Sequence, residues 1–192
     1  MKNICVYCAS SSKIDSKYLK VAEQLGTFLA KSGLQLVYGG GSAGLMGVLA
    51  DNVLNSGGNV IGVIPKFMVD AEWQHNGLTE LILTETMHER KEKMAELSDA
   101  VVALPGGCGT MEELMEIITW KQLGIYKNPI VIVNVEGYYN SLLDQMQRAV
   151  DDLFMHPQHL EMWTVVNDAE EVLDAIRNSK CTFEDMRKFA KI

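Results

Sequence analysis

The run Pro105-Gly106-Gly107-Cys108-Gly109-Thr110, followed at once by Glu112 and Glu113, holds the residues best suited to chemistry. Three glycines let the backbone approach a ligand closely. The helix that follows would aim its free N–H groups at an anion. Thr110 is expected to cap that helix and to offer a hydroxyl to a phosphate. Glu113, three residues on, shares its face near the helix start. A capping box, with Thr110 at the N-cap and Glu113 at N3, would account for the Thr and the Glu. It would not account for the glycines in front of them. The run therefore reads as a nucleotide-phosphate cradle with an acidic catalytic group built into it.

Two adjacent acids repel an anionic ligand, so a cation is needed to offset them. Arg90 and Lys91 supply it, in the segment MHERKEKM. Lys93 reads as part of a solvated helical face. Arg90 stands apart, because its helix follows an irregular excursion and leads directly into the glycine loop. A second glycine run, GGGSAGLMG from Gly39 to Gly47, is either a tight strand-to-helix turn or a second ligand loop. It is not a Walker loop, since no Gly-Lys-Ser/Thr ends it, and its spacing does not repeat the dinucleotide fingerprint. Cys5 and Cys8 have redox-motif spacing. On a strand, however, an odd separation turns them to opposite faces, against a disulfide or metal role.

The elements that must position these residues alternate along the chain. Strands are expected at 2–8, 35–38, 59–64, 81–84, 100–104, 129–134 and 164–166. Helices are expected at 17–31, 45–54, 89–97, 110–123, 139–154 and 169–178. Residues 65–78 have no clean period and read as a long excursion, of the kind that is usually functional. This alternation implies right-handed βαβ crossovers in an α/β, Rossmann-like, doubly wound and mostly parallel sheet with helices on both faces. Near-continuous apolar runs such as AVVAL and IVIVN fit strands covered on both sides. Ligands of such sheets bind outside the carboxyl ends of the strands. That rule selects the loops after Tyr38 and Leu104, and both are glycine-rich.

The 192 residues suggest one domain, 1–192, with enough chain for a real core. A formal charge of −8 argues against nucleic acid as a partner, since that needs a basic face, but leaves room for a small anion. No apolar run approaches the roughly 20 residues that span a bilayer, and no signal-peptide pattern opens the chain, so a cytoplasmic protein with no membrane partner is expected.

MHERKEKM, then LPGGCGTMEE, then ITWKQLGIYKNPIVIVNVEGYYN, resembles the Lonely guy (LOG) family of cytokinin riboside 5′-monophosphate phosphoribohydrolases. That family is often mislabelled as lysine decarboxylases. Its PGGxGTxxE motif stands here at Pro105 to Glu113, and its Arg-Lys pair at Arg90-Lys91. The start Cys8-Ala9-Ser10-Ser11, the YGGGSAGLMG loop and the segment from Glu72 to Leu81 are also similar. The resemblance spans about residues 4–175. It implies hydrolysis of the N-glycosidic bond of adenosine 5′-monophosphate or an N6-modified form, giving free base and ribose 5-phosphate, with no cofactor and no metal. It places the catalytic pair on Arg90 and Glu113. It places substrate binding on Glu72, Arg90, Lys91, Gly107, Cys108, Gly109, Thr110, Met111, Glu112, Glu113 and Thr119. It also implies a homodimer packed through the helix after Glu113, which carries Leu114, Met115, Ile117, Ile118, Trp120 and Leu123. The Cys108 position is variable in the family pattern, so its side chain reads as incidental despite its place at a helix start.

Three other functions are conceivable for glycine loops on such a sheet. Pyridoxal-dependent decarboxylation needs a Schiff-base lysine, and no Lys stands in such a context. A dinucleotide oxidoreductase would gather its glycines in one fingerprint and end the second strand with an acid. A non-catalytic nucleotide sensor or carrier on the same fold is the alternative, against which the retained Arg90 and Glu113 weigh.

Overall fold

The structure is a computed structural model that describes residues 1–71 and 73–179. Glu72 and Cys181 lie outside the described residues. Seven strands form one sheet: β1 (Asn3–Tyr7), β2 (Gln35–Tyr38), β3 (Val60–Pro65), β4 (Glu80–Thr84), β5 (Ala100–Ala103), β6 (Ile130–Val133) and β7 (Thr164–Val166). Their order is β4-β3-β2-β1-β5-β6-β7, and every pairing is parallel. The helices are α1 (Ser16–Lys31), α2 (Gly44–Asn55), α3 (Lys66–Asp70), α4 (Met87–Glu96), α5 (Cys108–Gln122), α6 (Asn140–Asp151) and α7 (Val172–Asn178).

Side chains alternate across the sheet, so each strand feeds two cores. In β1, Ile4 and Val6 join a core built with Leu25 of α1, Leu49 of α2 and Ile176 of α7. Cys5 and Tyr7 join the opposite core, with Met94 of α4, Leu114 and Ile117 of α5, and Met146 of α6. Cys8 falls in the first core and Cys5 in the second, as their odd separation requires. Burial pushes both thiols well above the ordinary range, with Glu113 adding to the rise, which leaves them protonated packing groups.

Among the described residues three short helical segments fall outside the expected helices: α3, a three-residue 3₁₀ turn at Val135–Gly137, and a 3₁₀ turn at Pro157–Met162. The excursion contains α3, which buries none of its residues and so leaves no apolar period to read. A 3₁₀ turn at Pro157–Met162 repeats every three residues rather than 3.6. The helix expected through Phe154 ends at Asp151, because Leu153 takes a left-handed φ of 65° that no helix continues.

The chain builds outward from β1 to β4, then returns to set β5 against the other side of β1. That reversal is the switch point where a crevice opens beyond the strand ends. Among the described residues, no helix is long and apolar enough to cross a membrane.

Candidate active site

Three loops converge beyond the strand ends: the Cys8–Ser11 turn after β1, the glycine run after β2, and Pro105 to Gly107 after β5. They frame a cavity of about 390 Å³ whose walls include Ser10, Met87, Cys108, Thr110, Glu112 and Glu113. A second chamber of about 370 Å³ is lined by Ser42, Ile64 and Trp73 among others. The two share Ser10, Gly39, Met46, Met68 and Arg90, so they form one continuous cleft. Its size suits a small-molecule ligand.

Arg90 is the hinge between the chambers. It leaves α4 and is buried to 7% exposure. Its Nε donates to the Val63 carbonyl at 3.0 Å, and one terminal nitrogen donates to Glu113 Oε1 at 2.7 Å. The other terminal nitrogen lies over Gly39, where an added Cβ would come within 2.0 Å of it. Gly39 therefore has no side chain because the guanidinium occupies that space. Burial raises the Glu113 carboxyl above its ordinary value, and the Arg90 charge works against that rise. A carboxyl raised in this way, on the wall of a cleft, is suited to acid–base work or to stabilising positive charge.

Lys91 turns the other way. Its ammonium contacts Glu112 Oε1 at 2.5 Å and Glu116 Oε1 at 3.0 Å. The adjacent acids are thus neutralised separately, Glu113 by Arg90 and Glu112 by Lys91. The repulsion between paired acids and an anion, evident in the sequence, is met as expected by Arg90 and Lys91, one on each acid.

The helix start differs from expectation. The N-cap of α5 is Gly107, with no side-chain cap hydrogen bond, and Thr110 lies three residues inside the helix. Thr110 is buried at 4%, with its hydroxyl packed where a Cβ on Gly106 would be, 2.1 Å away. No capping box forms, because Glu113 is drawn to Arg90 and Thr110 is held against the glycine. The first N–H groups of α5 are therefore left open beside the cleft. By contrast, Asp15 caps α1 and Thr86 caps α4 with their side chains. The α2 helix, which follows the other glycine run, also lacks a side-chain cap.

The excursion folds back as a wall of the second chamber. Ser42 N–H donates to the Trp73 carbonyl at 3.1 Å, and His75 N–H donates to the Gly40 carbonyl at 2.9 Å. The His75 ring lies 3.0 Å from Asp51 of α2 and accepts from the Gly77 N–H at 3.0 Å. His75 thus fastens the excursion to α2, while Trp73 stays 58% exposed at the chamber edge.

Of the residues singled out in the sequence, Arg90, Gly107, Cys108, Gly109, Thr110, Glu112 and Glu113 line the cleft together. Lys91 and Met111 are not on its lining. Thr119 is exposed further along α5, with its hydroxyl turned back to the Met115 carbonyl at 2.8 Å. Glu72 lies outside the described residues. Sequence reasoning missed Met46, Met68, Met87 and Met94, which line the walls. Two of these were signalled by spacing: Met87, Arg90 and Met94 recur at i, i+3 and i+7, one face of α4.

The chain matches the family described as "Possible lysine decarboxylase" over residues 46–176. It is 45% identical over 177 residues to cytokinin riboside 5′-monophosphate phosphoribohydrolase LOG1 of Arabidopsis thaliana, covering 92% of this chain and 83% of that protein. It is 44% identical over 178 residues to the cytokinin riboside 5′-monophosphate phosphoribohydrolase of Rhodococcoides fascians, covering 92% of this chain and 90% of that protein. Among solved structures, the molybdenum cofactor carrier protein of Chlamydomonas reinhardtii superposes with a TM-score of 0.70 at 21% identity, covering 92% of this chain and 96% of that one. The molybdenum cofactor binding protein of Rippkaea orientalis gives 0.69 at 22%, with coverage of 92% and 96%. At those identities the likeness carries the fold alone. The decarboxylase description does not fit the residues present, because no lysine lines either chamber among the described residues. A pyridoxal Schiff base would have no amine to form on.

Proposed function

The chain belongs to the family of cytokinin riboside 5′-monophosphate phosphoribohydrolases, and from that membership we propose that its cleft hydrolyses the N-glycosidic bond of adenosine 5′-monophosphate or an N6-substituted form. The products are free base and ribose 5-phosphate. The observation that carries the reading is the buried Arg90–Glu113 pair, 2.7 Å apart, beside an uncapped helix start.

Breaking a C1′–N bond builds positive charge on the ribose, as in other glycoside cleavages. Glu113 is the group to stabilise that charge or to draw a proton from the attacking water. Arg90 fixes the carboxylate through a side chain anchored to Val63, so the geometry is set before substrate arrives. The open N–H groups of Cys108, Gly109 and Thr110 receive the 5′-phosphate. The phosphate is remote from the breaking bond, and its binding energy aligns the sugar. The base then lies toward the second chamber, against Met68 and Trp73.

A homodimer belongs to the same proposal. Leu114, Ile117 and Ile118 of α5 are buried within the chain itself, whereas Leu123 and Ile125 beyond them are 50% and 65% exposed. Thr119, on the same stretch of α5, would face a partner rather than this chain's own cleft.

The deciding test is incubation of pure protein with AMP, and in parallel with isopentenyladenosine monophosphate, followed by assay for free base. Release of base with ribose 5-phosphate supports the proposal, and the faster substrate identifies the preferred base. Binding of AMP without release of free base from either substrate would make the chain a carrier instead.

A further inference from the structure

Two consecutive tyrosines grip the glycine loop from outside the cleft. The Tyr138 hydroxyl donates to the Gly106 carbonyl at 2.7 Å, and the Tyr139 hydroxyl donates to the Leu104 carbonyl at 2.7 Å. Neither tyrosine lines the main cavity or the second chamber. Resting on the function proposed above, we propose that Tyr138 is a positioning residue for phosphate recognition, because its hydroxyl fixes the direction of the Gly107 N–H.

The reasoning is covalent geometry. In a trans peptide the carbonyl of one residue and the N–H of the next point in opposite directions. Among the described residues no peptide is cis. Tying the Gly106 oxygen to Tyr138 therefore turns the Gly107 N–H away from that hydroxyl. Gly107 is exposed and on the cavity lining, and its N–H directly precedes the open donors of α5. Glycines on both sides of this peptide would otherwise let it flip at little cost. A flipped peptide would present a carbonyl to the phosphate instead of a donor. Tyr139 serves as the internal contrast. The residue after Leu104 is Pro105, which has no N–H to orient, so that bond anchors the loop root and aims nothing.

Tyr138 is itself held in place. Its ring meets Tyr139 edge-on at 5.0 Å and Tyr18 of α1 at 5.6 Å. Tyr18 in turn lies beneath the Lys17 ammonium, which pairs with Glu136 at 2.5 Å. The Asn134 side chain accepts the Tyr139 N–H at 2.7 Å, fixing the turn that delivers both rings.

The test is Tyr138→Phe, which removes one oxygen from a side chain 43% exposed and keeps the ring contacts. Calorimetric titration with ribose 5-phosphate and with adenine, alongside kinetics on AMP, reads the effect. The expected result is a Kd for ribose 5-phosphate and a KM for AMP each weakened about tenfold, the loss of roughly one charge-assisted hydrogen bond. The Kd for adenine should stay within about twofold of wild type on the same scale. Unchanged ribose 5-phosphate binding would overturn the proposal. So would equal weakening for adenine, which would mark a general loosening of the cleft. If wild type binds ribose 5-phosphate but hydrolyses no nucleotide, the enzymatic reading fails, while the binding arm still decides the role of Tyr138.

Discussion

On the function proposed above, Glu113 and Arg90 divide the work that the cleft requires, and altering either should stop it. Glu113→Gln keeps the shape and the contact to Arg90 but removes the negative charge. It should leave a folded protein with base release lowered by about 10²-fold or more, measured as turnover of AMP. Arg90→Ala should do the same while also freeing Glu113 from its anchor. Gly39→Ala is a subtler probe. Its Cβ would claim the space of the Arg90 guanidinium, a flexible side-chain end that can move aside. The expected outcome is most activity gone together with a lowered melting temperature, because the buried Glu113 and the Val63 carbonyl lose the partner that held them.

The pH response follows from the same pair. Burial sets the Glu113 pKa above its ordinary 4.5, and Arg90 pulls it back. Chemistry that needs ionised Glu113 is lost as pH falls through that raised value. Arg90→Lys moves the cation away and weakens the downward pull, so the acidic limb of the kcat/KM profile should shift to higher pH. For stability the sign is opposite to that of a salt-bridged acid with a depressed pKa. A raised folded pKa contributes stability below the unfolded value that is lost as pH rises through the folded one. Glu113→Gln should therefore remove that decline from the stability–pH curve.

At the scale of elements, the glycine loop after β5 is held from behind as firmly as it is open in front. Tyr139 is 1% exposed, and its hydroxyl is the donor to the Leu104 carbonyl. Tyr139→Phe leaves that carbonyl without this partner and should destabilise the fold by about 1–3 kcal/mol. Thermal denaturation should show a loss of several degrees, at roughly 2–4 °C per kcal/mol for a chain of this size. Every strand of the sheet and each helix with a buried apolar stripe was legible in the sequence, because burial writes a period. The α3 helix buries nothing and wrote none. The start of α5 was misread for a related reason: Thr110 and Glu113 have the types and spacing of a capping box. Glu113's real partner, Arg90, comes from another element, and Thr110 packs back on Gly106 of its own loop, and residue types at capping-box spacing reveal neither. The same holds for Tyr138, whose target lies 32 residues earlier in the chain.

For the whole molecule, the sheet reversal beside β1 explains why residues far apart in sequence share one cleft. Cys8, Gly39, Arg90 and Glu113 come from four different crossings, and only the strand order brings their loops together. The apolar end of α5 and the Ile125 turn belong to the same scale. If they pack against a second copy, sedimentation at micromolar concentration gives twice the chain mass. Leu123→Glu combined with Ile125→Glu should then give a folded monomer. A wild-type monomer under those conditions would count against the dimer.

The wall of the second chamber is fastened to the first glycine run chiefly through backbone atoms, Ser42 to Trp73 and His75 to Gly40. Such lacing is indifferent to which side chains the strap displays. Residues such as Trp73 and Met68 are thus free to be exchanged without loosening the frame or disturbing the Arg90–Glu113 pair. The cleft separates into a fixed engine and a replaceable faceplate. On the function proposed above, a lineage, or a protein engineer, could retune the base the cleft accepts by rewriting a handful of positions on that wall while the Arg90–Glu113 pair stays as it is.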